Sequence, residues 1–131
     1  MNPAIEFHPD VMEEPFRRQV RQIARMYGWT MQYHTHNSKF SDGGFPDETW
    51  IHPLYNRVLF VEFKRQKGAI RPKQVEWLVA LGNCGLETAL WRPSDGEEIL
   101  AVLGPVQKRT KWAPTEKKRT RRPARTAGTT S

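Results

Sequence analysis

Cysteine is nearly absent from this 131-residue chain. Cys84 is the single one, which excludes an internal disulfide and any multi-cysteine zinc module. Long hydrophobic runs are missing as well: no window approaches the ~18 consecutive apolar residues of a spanning helix. The opening residues, MNPAIEFHPD, lack the basic start and apolar stretch of a secretory signal. The expectation is a soluble, cytoplasmic chain with no membrane partner, held together by an ordinary core. Internal repeats, heptads and a Gly-rich phosphate loop are also lacking.

Acidic residues are scarce in one region only. From Pro105 onward nine of the 21 Lys and Arg face a single acid, Glu116. That segment therefore carries +8 of the net charge of +7, and residues 1–104 carry −1. With Trp112 as its only aromatic, three prolines and a Thr/Ala/Gly/Ser end, the segment offers too little apolar surface to offset ordering entropy. It reads as a disordered basic tail, residues 105–131, behind a folded domain, residues 1–104. Such an arm neutralises phosphates non-specifically or simply keeps the chain soluble.

Within the body, Phe16, Val20, Ile23, Ala24 and Tyr27 recur at helical spacing up to Gly28, with Pro15 in the first turn. Residues 29–36 suggest a strand and NSKFSDGGFP a loop. DETWI and RVLFVEFK form a hairpin around Leu54 and Tyr55. Pro72 opens a helix with Val75, Leu78, Val79 and Leu81 on its apolar face. Residues 86–91 add a strand, and Ser94 with Glu97 has the spacing of a capping box for a last short helix. The order is αβββαβα, an α/β fold.

A hairpin turn centred between Leu54 and Tyr55 sets Asp47 opposite Glu62, and Lys64 shares the face of Glu62. Two carboxylates facing each other in a sheet require a cation between them, either Lys or a hard metal ion. Ordinary ion pairing with Lys64 on a solvated strand face and a metal site are equally open on these residues alone.

Gly44-Phe45-Pro46-Asp47 followed by Glu62-Phe63-Lys64 resembles the PD-(D/E)xK nuclease signature, in its VRR-NUC branch. The resemblance extends over about residues 13–103. It takes in Glu13, Gly28-Trp29, His34-Thr35, Ser38-Lys39, Gly68, Pro72, Gln74, Trp77-Leu78, Leu81, Gly85, Trp91-Arg92-Pro93 and Asp95. It implies a restriction-endonuclease-like αβββαβ core with a mixed sheet flanked by helices, and Mg²⁺- or Mn²⁺-dependent hydrolysis of DNA phosphodiesters. Carried over to these positions, Asp47, Glu62 and the Phe63 carbonyl would hold the metal together with Glu13. Lys64 would orient or deprotonate the attacking water, and Gln74 would assist.

Helical spacing selects Glu13 over its neighbour, because Glu13 aligns with Phe16 and Val20 while Glu14 aligns with Arg17, Arg18 and Arg21 on the wet side. A capping box from Asp10 to Glu13 is the competing reading, but it would leave Pro15 beyond the first turn. Two positions depart from the family pattern. Glu48 and Thr49 replace apolar strand residues, suggesting a short or one-side-exposed strand, and Lys39 stands where Arg is usual.

Candidate contacts to the DNA backbone are His34, Lys39, Arg65 and Lys67, then Lys108, Arg109, Lys117, Lys118, Arg119, Arg121 and Arg122 in the tail. Trp77 and Trp91 read as core, Phe45 and Trp50 as uncommitted, and His8 and His52 as surface residues. A homodimer is compatible with the sequence. The rival readings are a catalytically silent nuclease fold that binds DNA, and an interaction protein for an acidic partner.

Overall fold

The computed structural model describes residues 5–36 and 43–114. Helix α1 (Glu13–Met26) leads into strands β1 (Met31–His34), β2 (Glu48–His52) and β3 (Arg57–Phe63). Helix α2 (Pro72–Asn83), strand β4 (Glu87–Trp91), a single 3-10 turn (Pro93–Asp95) and helix α3 (Gly96–Leu103) complete it. The four strands form one mixed sheet in the order β1-β2-β3-β4, antiparallel except for the β3/β4 pair that α2 bridges. The molecule is thus α/β, with helices flanking a four-stranded sheet.

Helix α1 starts at Met12 as N-cap, so Pro15 falls in the first turn, where its missing N–H leaves no bond unmade. Its buried residues Phe16, Val20 and Ala24 lie four apart on one stripe and meet β3 and α3. They join Trp29, Trp50, Leu59, Val61, Phe63, Trp91, Ile99, Val102 and Leu103 in the core. Glu48 pairs with Val61 and Trp50 with Leu59, which is the register expected from the hairpin turn.

Several side chains depart from the sequence reading. His52 is buried rather than on the surface, donating its Nε2–H to the Tyr27 carbonyl at 3.0 Å and stacking edge-on with Trp29. Trp50 is fully buried and belongs to the core. Trp77 is only partly buried and meets Phe45, which also packs on Phe60. Ser94 caps nothing, since α3 begins after Asp95, whose carboxylate accepts the Arg92 N–H at 2.7 Å; Ser94 instead exchanges hydrogen bonds with Gln66.

The packed chain continues past Gly104. Residues 108–112 lie along the outer edge of β4, where Thr88 N–H donates to the Thr110 carbonyl and Trp112 N–H to Thr88 Oγ1. Arg57, almost fully buried and stacked on Trp29, grips Glu87 at 2.6 and 2.8 Å, Gln107 at 2.7 Å and the Lys108 carbonyl at 3.0 Å. An edge strand is thereby covered by its own chain.

Candidate active site

Continuing the β2/β3 register one residue beyond Glu48 brings Asp47 level with Glu62. The approach to Asp47 is fixed by Gly44, whose φ of +104° suits a residue without a Cβ; a Cβ there would lie 2.7 Å from the Lys73 Cβ. Asp47 Oδ2 accepts the Phe63 N–H at 2.8 Å, tying the loop to the last residue of β3. Lys64 continues β3 by donating its N–H to the Trp91 carbonyl, and its side chain is buried.

Gln74 enters from the first turn of α2. Its Oε1 accepts the Arg71 N–H at 2.9 Å, which fixes the amide so that Nε2 faces Glu62 and donates to Oε2 at 2.7 Å. Glu62 is 1% exposed, and its other oxygen, Oε1, is buried with no partner. Glu13, in the first turn of α1, is half-buried, whereas Glu14 is exposed. Glu13 also lies close enough to Asp47 and Lys64 to feel both charges.

These groups form one electrostatic unit. Burial pushes Glu62 up to about 8, with the charges of Asp47 and Glu13 adding to it and Lys64 and Arg71 opposing. Burial likewise raises Asp47 above the ordinary carboxylate range, against the Phe63 N–H and the charges of Arg17, Lys64 and His34. Glu13 is raised by burial and then by Asp47. A buried Glu62 raised by the charges of Asp47 and Glu13, with one orphaned buried oxygen, is the condition that a divalent cation relieves. The donors are hard oxygens of the type Mg²⁺ takes. Among the described residues, no three His, Cys, Asp or Glu side chains are gathered as a ready-made metal cluster. The fit thus rests on donor chemistry and the free oxygen.

Sequence reasoning missed Glu48. It is fully buried, not a mark of a short or exposed strand, and its Oε2 accepts from Arg17 at 3.0 Å and Arg21 at 2.8 Å. Trp50 Nε1 donates to its Oε1 at 2.8 Å. Arg17 is accordingly buried rather than on the wet side. The available signal was the i, i+4 spacing of Arg17 and Arg21 on a helix that packs on a strand carrying an unexpected acid.

The candidate backbone contacts divide into four groups. His34 Nδ1 lies 3.2 Å from both the Asp47 carbonyl and Glu48 Oε2, beside the carboxylates. Arg65 and Lys67 are exposed on the loop after Lys64, a loop held by Arg92 through the carbonyls of Arg65, Gln66 and Gly68. Lys108 and Arg109 are engaged with Glu98 and Glu87, each at 2.9 Å. Lys39, Lys117, Lys118, Arg119, Arg121 and Arg122 lie outside the described residues. No family model, curated protein or solved structure matches this chain.

Proposed function

We propose that this chain is a divalent-metal-dependent nuclease of restriction-endonuclease-like architecture that hydrolyses phosphodiester bonds of DNA. The observation that carries the reading is the pairing of Asp47 with a buried Glu62 whose Oε1 has no partner, beside Lys64, at one end of the sheet. Glu13, Asp47, Glu62 and the Phe63 carbonyl would hold the ion. When bound, Mg²⁺ or Mn²⁺ supplies the positive charge that favours hydroxide over water and offsets charge building on the phosphate.

The chain's own residues supply the rest. Gln74 occupies Glu62 Oε2 and so directs the free Oε1 toward the site. Lys64, buried and acting on all three carboxylates, would orient the attacking water and counter the phosphate's growing charge. The Asp47 bond to the Phe63 N–H keeps carboxylate and carbonyl in fixed relation.

The test is supercoiled plasmid incubated with the protein in Mg²⁺, in Mn²⁺ and in EDTA. Nicking in either metal and none in EDTA is the expected result. A mobility shift without nicking in both metals overturns the reading in favour of a silent DNA-binding fold.

A further inference from the structure

The buried cluster around Glu48, on the α1 side of the sheet, has no part in the metal-holding and hydrolytic roles given above. One carboxylate, Glu48, holds two guanidinium groups, and His34 Nδ1, with acceptors on both its neighbours, donates toward it as well. Arg17 also lies 3.8 Å from the exposed Glu14. An apolar residue at this strand position would pack against the same core without the desolvation penalty of buried charge. Neutralising Glu48 requires only one arginine.

Arg21 is the surplus cation. Its side chain keeps 29% of its surface exposed while its Nε is buried with no partner, a donor without an acceptor. Arg17, one turn earlier on α1, acts electrostatically on both Glu13 and Asp47, so the cluster adjoins the carboxylates. A guanidinium already held on a carboxylate gives up little further freedom on meeting a phosphate, and its remaining N–H groups suit that acceptor.

We infer that Glu48 is a positioning residue that fixes Arg21 as a contact for a backbone phosphate of the DNA strand flanking the Asp47–Glu62 site. The inference rests on the nuclease reading for its ligand class, though not on turnover. It concerns a subsite beside the cleavage centre, built from a helix and a strand.

Binding therefore tests it better than cutting. A fluorescently labelled duplex is titrated in EDTA over a range of salt with wild type, Arg21→Ala, Arg21→Lys and Glu48→Gln, and melting is followed alongside. Arg21→Ala weakens binding roughly tenfold at low salt and reduces the slope of log K against log salt by about one. Arg21→Lys recovers the slope but only part of the affinity, because Lys lacks the planar fork. Glu48→Gln adds one positive charge to the protein, so bulk electrostatics alone would tighten binding, whereas loss of positioning weakens it.

Unchanged slope and affinity in Arg21→Ala, or tighter binding by Glu48→Gln, overturns the inference. If Glu48→Gln does not fold, the two Arg21 variants decide the matter. A wild type that binds with this pattern yet never nicks leaves the subsite standing and removes the nuclease reading. One that nicks while Arg21→Ala binds normally does the reverse, and a wild type with no affinity for the duplex removes the subsite.

Discussion

Glu62 has one oxygen bonded to Gln74, the other without a partner, and two further carboxylates acting on it. Its folded-state value of about 8 exceeds the ordinary glutamate value of 4.5. The native chain consequently binds more protons than the unfolded one between those limits, and the metal-free protein loses stability as pH rises through that window. The loss is on the order of a few kcal/mol by linkage. Thermal melts of the metal-free protein should show the midpoint falling from pH 5 to pH 9, with Glu62→Gln flattening the decline. Added Mn²⁺ should raise the wild-type midpoint at pH 8.5 far more than that of Glu62→Gln, because an ion that binds only the native state stabilises it by mass action. A wild-type midpoint that is insensitive to both pH and Mn²⁺ would contradict the assignment of these carboxylates.

At the scale of elements, the β2/β3 hairpin and the loop into it set the site. Gly44→Ala combines a left-handed backbone position with a clash against Lys73, whose carbonyl carbon would lie 2.9 Å from the new Cβ. The expected destabilisation is about 1–3 kcal/mol, read as a lower urea midpoint, together with impaired cleavage because Asp47 shifts. The hairpin register was legible in the sequence because a turn between two alternating runs fixes every pair, and with it the juxtaposition of Asp47 and Glu62. Helix α1 was legible because Phe16, Val20 and Ala24 fall four apart. Glu48 was not legible, since its partners Arg17 and Arg21 lie 31 and 27 residues away and only tertiary packing brings them together. The same holds for His52, whose burial depends on the Tyr27 carbonyl and Trp29. The capping box expected from Ser94 and Glu97 lost to Asp95, which folds back on Arg92 within a 3-10 turn.

At the scale of the whole molecule, the packed chain runs past Gly104, with residues 107–112 bonded to the body. Residues 105–114 complete the body: burial pushes Glu87 up, but bonds from Arg57, Arg109 and the Thr110 N–H outweigh that and hold it below its ordinary value. Composition did not show this, because Lys108, Arg109 and Lys111 look like the first charges of a solvated arm, whereas Lys108 and Arg109 are paired with Glu98 and Glu87. Truncation after Gly104 removes Gln107, the Lys108 carbonyl and Arg109 from a buried network and uncovers the edge of β4. It should destabilise the body by about 3–5 kcal/mol and promote association through the exposed strand, both measurable by urea melts and gel filtration. Truncation after Pro114 removes six Lys and Arg with one acid and leaves that network intact. Its melting should match the full chain, while its affinity for DNA falls and the salt slope flattens by several units, at about 0.9 for each phosphate the arm neutralises. Equal slopes for the full chain and the Pro114 truncation would assign the arm no role on DNA.

The central claim is that Glu62 and Lys64 serve metal-dependent phosphodiester hydrolysis. Its most direct test is the initial rate of plasmid nicking in saturating Mn²⁺ for wild type, Glu62→Gln and Lys64→Met, with binding to the same DNA measured in EDTA. The account predicts that each substitution lowers the rate by at least about a hundredfold, the scale of a single acid–base or electrostatic group, while affinity changes little. Nicking by either variant at the wild-type rate would contradict it.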